Sequence, residues 1–287
     1  MKKRLVLLVS GLLLVAALFA GCGSNTTTGD KTASGDNNVS GDAPANVADS
    51  NLPAELQAIQ KRNVLKVGVK IDVPKFGYED PLTQVLEGFE IDIAKSIGQK
   101  ILGDDPKIEF TGVTAKTRGP LLDNGDVDML VSTFTITEER KLSYNFSQPY
   151  FIDGVGLLVK KAAGINSLAD LDGKNIGVAQ SATSKAAIQE EADKLGIKVK
   201  FLEFASYPEI KAALDSGRVD CFSVDGSILF GYLDDSTIIL DDRFSPQEYG
   251  IATKLSNKGL AEYLDAEIQA MKDSGELQTL LEKWGLE

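Results

Sequence analysis

Val127-Asp128-Met129-Leu130-Val131-Ser132-Thr133-Phe134-Thr135-Ile136-Thr137-Glu138-Glu139-Arg140 is the stretch on which the fold turns. Its largely apolar start, Val127 to Val131, reads as a buried strand. The remainder is a hydroxyl-rich loop that closes on an arginine and is followed by Ser143-Tyr144-Asn145-Phe146-Ser147. Closely spaced hydroxyls, loop amides and one guanidinium suit an α-carboxylate, because arginine offers two coplanar donors to two carboxylate oxygens. The same residues also fit a plainer reading of strand end, N-capping threonine and surface arginine.

On both sides of this stretch, strand patterns alternate with helix patterns. Pro53 to Arg62 reads as a short helix with Pro in its first turn. Leu65 to Lys70 alternates as a strand, and Asp72 to Tyr78 is a loop carrying Pro74, Phe76 and Tyr78. Phe89, Ile93, Ile97 and Ile101 recur every fourth residue, which predicts a helix ending near Gly103. A strand follows over Lys107 to Val113, then a loop to Arg118 and a short helix from Pro120 to Gly125. Val155 to Lys161 crosses as a strand, and a similar series then runs again to Asp225. Within it, Ser181-Ala182-Thr183-Ser184 is a turn that opens a helix to Leu195. Strands are predicted over 236–241 and 248–254, and a helical tail over Asn257 to Trp284. Such alternation implies an α/β fold with parallel βαβ units. The series runs twice, with crossings near 155–160 and 248–253. Two lobes are therefore expected, 53–156 (with 252–287 returning to it) and 157–251, joined by two extended strands that form a hinge.

The chain of 287 residues has room for both lobes. Net charge is −12, and the first 22 residues hold Lys2, Lys3 and Arg4 without an acid, so the rest carries about −15. No basic face is available for nucleic acid. The absence of histidine removes the commonest general base and metal ligand, and neither a metal nor a cofactor is expected. Residues 1–22 read as a leader with a basic start and an apolar run too short to span a bilayer. It ends Leu18-Phe19-Ala20-Gly21-Cys22, which resembles a bacterial lipoprotein signal whose Cys22 is lipidated. Phe19 departs from that pattern, and an ordinary secretory cut near Ala20 is the alternative. Residues 23–52, rich in Gly, Ser, Thr, Asn and Asp, read as a flexible tether. Cys221 is expected to be a lone buried thiol.

In order along the chain stand Leu65-Lys-Val-Gly-Val-Lys70, Gly88-Phe-Glu-Ile-Asp-Ile-Ala94, Asn124-Gly-Asp-Val-Asp-Met129, Thr135-Ile-Thr-Glu-Glu-Arg140, Asn145-Phe-Ser-Gln-Pro-Tyr150, Leu168-Ala-Asp-Leu-Asp-Gly-Lys174, Gly217-Arg-Val-Asp-Cys-Phe222 and Tyr249-Gly-Ile-Ala252. Together they resemble the extracellular substrate-binding proteins of polar amino acid ABC transporters. The resemblance implies a type II periplasmic-binding-protein-like fold, with a ligand cleft between lobes that close like a clamp. It also implies a monomer on the outer face of the cell membrane, lipid-anchored, that hands an amino acid to a permease.

The resemblance further implies site residues. Arg140, with Thr133 and Thr135, would hold the ligand α-carboxylate, joined from the second lobe by Ser181, Thr183 and Ser184 at a helix start. Asp225 would hold the α-ammonium. Thr183 could instead merely cap, and Asp225 merely begin a turn; Asp220 reads as structural. Val113-Thr-Ala-Lys-Thr-Arg118 is similar to a branch that binds glutamate and aspartate, so Arg118 with Lys70 would face a side-chain carboxylate. Arg118 and Lys70 could also be plain surface residues, and Phe76 or Tyr78 would supply an apolar wall. An acidic amino acid is thus the expected ligand, with glutamine or another polar amino acid as the alternative. A dehydratase on the same fold would need a carboxylic acid poised in the cleft, and none stands out in the sequence.

Overall fold

A computed structural model of the chain describes residues 52–287. The leader, Cys22 and the tether up to residue 51 lie outside the described residues. The first lobe begins with α1 (Ala54–Arg62), which follows Pro53 and stops where Asn63 turns left-handed. β1 (Leu65–Val69) leads to a small antiparallel sheet of β2 (Asp72–Val73), β3 (Gly77–Glu79) and β4 (Leu86–Glu87). α2 (Phe89–Leu102) buries the predicted stripe of Phe89, Ile93, Ile97 and Ile101. It starts at Gly88, whose φ is 142° and where a Cβ would lie 2.1 Å from the carbonyl oxygen of Phe76. Only glycine fits there, and it brings the Phe76 loop hard against the helix start. β5 (Ile108–Gly112), α3 (Arg118–Asn124), β6 (Met129–Val131), α4 (Glu138–Lys141) and β7 (Tyr144–Phe146) complete this part. α3 starts two residues before Pro120, so Arg118 stands on a helix and not in a loop.

The second lobe holds β8 (Phe151–Lys160), β9 (Asn175–Ala179), α5 (Ser184–Leu195), β10 (Lys200–Phe204), α6 (Tyr207–Asp215), β11 (Cys221–Asp225), α7 (Gly226–Phe230), β12 (Thr237–Ile239) and β13 (Phe244–Tyr249). The chain then returns through β14 (Ala252–Lys254) to α8 (Lys258–Asp273) and α9 (Glu276–Trp284). The first sheet runs β5-β1-β6-β14-β7, with β1 parallel to both neighbours and β14 antiparallel to both of its own. The second runs β10-β9-β11-β8-β12, with β13 also on β8. β9 is parallel to its neighbours, while β8 is antiparallel to all of its partners.

Two crossings join the sheets, one between Phe146 and Phe151 and one between Tyr249 and Ala252. The first lies ahead of the expected 155–160. Asp153 and Gly154 make residues 151–154 look like a turn, yet these residues pair with β13, Phe151 opposite Tyr249. The expected strand 248–254 is two strands, one in each sheet. The crossings are bonded to each other: Tyr150 N–H donates to Tyr249 O at 2.9 Å and Ser147 N–H to Ile251 O at 2.9 Å. Around them Phe76, Phe89, Phe151 and Tyr249 pack with ring centroids 5.1 Å (Phe76–Phe151), 6.1 Å (Phe76–Phe89) and 5.7 Å (Phe151–Tyr249) apart. One hydrophobic cluster thus continues from the first lobe into the second.

Cys221 is a free thiol on β11 with no solvent exposure, and burial pushes its pKa up. The native protein should therefore react with a thiol reagent only as fast as it unfolds, with full reaction in denaturant. Fast native labelling would contradict this burial.

Candidate ligand site

The loop after β6 gathers the first lobe's polar groups. Thr133 has φ 47°, a left-handed conformation that costs a β-branched residue on the order of 1 kcal/mol or more. Its N–H donates to Glu90 Oε1, which also accepts from the Tyr150 hydroxyl. Its carbonyl, with that of Ser132, accepts from Arg118 Nη1 at 3.1 and 2.8 Å. The Arg118 guanidinium lies 3.9 Å from the Phe134 ring centre, and Arg140 lies 4.7 Å from the same ring. Arg140 is placed by α4, whose capping Thr137 hydroxyl accepts from Arg140 N–H at 3.1 Å. Its Nη1 donates to Thr135 O at 2.8 Å, and its Nη2 reaches the second lobe at Ser181 O, 3.1 Å away.

On the second lobe, Ser181 turns left-handed at φ 62° and exposes its side chain, so its carbonyl is what meets Arg140. Thr183 sits at the start of α5 but makes no side-chain cap. Its hydroxyl donates instead to Gln247 Oε1 at 2.7 Å. Thr135, from the first lobe, donates to that same oxygen at 2.9 Å. Gln247 is thereby an acceptor shared by both lobes. Asp225 ends β11 and accepts from the Tyr249 hydroxyl. Asp220 accepts from Asn175 N–H, a structural bond as expected.

Lys70 is buried just after β1, with Nζ 2.9 Å from Asp72 Oδ1 and 4.6 Å from the centre of the Tyr207 ring. The approach to Asp72 is an ion pair by distance whose angles miss hydrogen-bond geometry. Phe76 is buried in the aromatic cluster at the crossings, and Tyr78 is half-buried on β3. Thus Lys70, Arg118, Thr133, Thr135, Arg140, Thr183 and Asp225 are linked by bonds or mutual fields into one polar cluster where the lobes meet, with the Ser181 carbonyl on Arg140 and the buried Ser184 next to Thr183.

Four participants were not expected: Glu90, Asp72, Gln247 and Tyr249. Glu90 carries a signal, since it precedes Ala94 and Ile97 by four and seven residues and so shares the buried face of α2. Gln247 follows Pro246 and a β-bulge, which hide its strand. The view that no carboxylic acid is poised in the cleft is also corrected. Burial raises Glu90 to about 7, opposed by its bonds from Tyr150 and Thr133. Burial likewise raises Asp225 to about 7, opposed by the Tyr249 bond, with the Asp153 charge adding to the rise and Arg118 and Arg140 pulling it down. Burial lowers the pKa of Lys70, partly countered by Asp72, and that of Arg140, helped by Arg118. Three cations, Lys70, Arg118 and Arg140, meet three carboxylates, Asp72, Glu90 and Asp225. The expectation of an acidic ligand, drawn from Arg118 and Lys70, did not include Asp72 or Glu90.

Buried side-chain atoms without a hydrogen-bond partner among the described residues concentrate here as well: Arg118 Nε, Thr133 Oγ1, Ser184 Oγ and Glu90 Oε2 are among them. Such atoms are rare in a finished core and are the chemistry of a polar recognition site.

The raised carboxyls give a signed prediction. Glu90 holds its proton more tightly folded than unfolded, where 4.5 applies. Its contribution to stability is therefore full below that value and lost as pH rises through about 7. Thermal unfolding of the ligand-free protein should show wild type losing ground to Glu90→Gln over this window, and parallel profiles would count against the assignment.

Residues 65–287 match the family of bacterial extracellular solute-binding proteins, family 3. The chain is 40% identical over 232 residues to the ABC transporter glutamine-binding protein GlnH of Bacillus subtilis (strain 168), covering 80% of this chain and 84% of the relative. It is 40% identical over 266 residues to the glutamine-binding protein of Geobacillus stearothermophilus, covering 92% and 96%. Among solved structures it is similar to an ancestral arginine-binding protein bound to glutamine, with a TM-score of 0.70 and 36% identity over 79% of this chain and 99% of that one. The two α/β lobes thus match solved proteins of this type, and the chain belongs to the bacterial extracellular solute-binding proteins, family 3.

Proposed function

We propose that the chain is the solute-receiving component of an ABC importer and that its solute is L-glutamine. The observation that carries this reading is the charge count of the cleft. Lys70 is paired with Asp72, Glu90 lies in the field of Lys70 and Arg118, and Asp225 is opposed by Arg118 and Arg140. A zwitterion with a neutral side chain leaves this set balanced, whereas a second ligand carboxylate would be buried without a cation of its own. The glutamine-binding relatives at 40% identity support the same choice over the acidic ligand expected from Arg118 and Lys70.

In this reading Arg140, Thr133, Thr135 and the Ser181–Ser184 turn take the α-carboxylate, with the first N–H groups of α5 as further donors. Asp225 takes the α-ammonium. Arg118 offers its guanidinium to the side-chain amide oxygen, beside Lys70, with Phe76 backing the hinge side of the cleft. The two-lobed body works as a monomer, tethered by a lipid on Cys22 to the outer face of the membrane, and delivers its solute to the permease. The binding-protein character of the relatives argues against a dehydratase despite the two raised carboxyls.

Calorimetric titration with glutamine, glutamate and aspartate tests the reading; Trp284 is bonded to Asp92 on α2, so heat is a better readout than indole emission. Glutamine should bind best, and no heat with any amino acid would sink the proposal. Arg140→Ala should weaken every amino acid by about a hundredfold or more, since it removes a charged hydrogen-bonding anchor. Wild-type affinity in that variant would take Arg140 out of the site. Glutamine affinity should fall as pH drops below about 7, because Asp225 must ionise to meet the ammonium. Asp225→Asn should bind weakly with a flat profile, and an unchanged slope in that variant would assign the proton elsewhere.

A further inference from the structure

Glu90 is given no group of the ligand in that reading, yet it is fully buried against Thr133. One oxygen is occupied by the Thr133 N–H and the Tyr150 hydroxyl. The other has no partner among the described residues. A buried side-chain oxygen without a partner is the exception in a folded protein and calls for an explanation. The cations whose field reaches Glu90 are Lys70 and Arg118, and Asp72 stands behind Lys70. The carboxylate is also tied to Arg118 mechanically. It fixes the N–H of Thr133 in its left-handed turn, and the carbonyl of that residue accepts from Arg118 Nη1.

We propose that Glu90 is the charge selector of the cleft, a positioning residue that aims Arg118 through Thr133 and cancels one of its two neighbouring cations, so that a side-chain amide is accepted and a side-chain carboxylate refused. The inference rests on the glutamine reading. Its selectivity works by exclusion: the site discriminates through what it leaves unbalanced for the wrong ligand. With Glu90 neutral, Lys70 and Arg118 together outnumber Asp72 by one charge, which an anionic side chain would match. Arg118 alone thus does not report the ligand class, because the same arginine beside a buried acid favours the opposite ligand.

The test is the ratio of glutamate Kd to glutamine Kd, measured by calorimetry for wild type, Glu90→Gln and Glu90→Asp. Glu90→Gln keeps an acceptor for Thr133 and removes the charge, so the ratio should fall by on the order of tenfold or more. Glu90→Asp keeps the charge at a changed reach, so both affinities should fall while the ratio stays within about threefold of wild type. Equal losses for both ligands in Glu90→Gln would overturn the selector role and leave a structural one. A wild type that does not prefer glutamine would instead bring down the glutamine reading, and this inference with it. If Glu90→Gln does not fold, the ratio is followed in wild type and in Lys70→Met from pH about 8 to about 6. Asp225 faces the ammonium common to both ligands and cancels in the ratio, which leaves Glu90 facing Lys70, Arg118 and Tyr150. The ratio should fall with pH in both proteins, and a constant ratio overturns the proposal.

Discussion

Three cationic side chains share one buried cleft, and the structure around them answers that constraint. An unmatched buried charge costs several kcal/mol, so each cation needs an anion, a carbonyl or a ring face close by. Lys70 has Asp72 and the Tyr207 ring, and Arg118 has two carbonyls and the Phe134 ring. Arg140 has one carbonyl from each lobe. These partners come from β2, from the loop after β6, and from Ser181 and α6 of the second lobe. The lobes must therefore meet for the cleft's electrostatics to be complete, and burial then raises Glu90 and Asp225 as the counterpart.

Much of the fold was legible because its periodicities are strong. The α2 stripe, the helical tail and the double run of α/β units all follow from apolar spacing. Arg118, Arg140 and Asp225 were legible from blocks of sequence that resemble a family. Their bonding partners were not. Glu90 was hidden because its apolar neighbours mark the face as core and not as part of a site. Gln247 was hidden by Pro246 and the bulge at Ser245, which place Phe244, Gln247 and Tyr249 on one face at spacings of three and two. A strict alternation of two cannot find that face.

The pull of the sequence toward an acidic ligand has the same origin. Arg118 and Lys70 announce positive charge in the sequence. The acids beside it lie two residues from Lys70 and on the next helix, where spacing can mark Glu90 as buried but not as a neighbour of Arg118. Net charge in a pocket is a property of the folded set, and a partial list of its members can give the wrong sign.

The crossings do more than connect the lobes. Each contributes a tyrosine, and the backbone of Tyr150 is bonded to that of Tyr249. The hydroxyl of one ends on Glu90 of the first lobe, the hydroxyl of the other on Asp225 at the end of β11 in the second. Bending one crossing strand drags its twin through that bond. The two acids, though far apart in sequence, are moored to one pair of strands, so a displacement of either crossing would be felt at both.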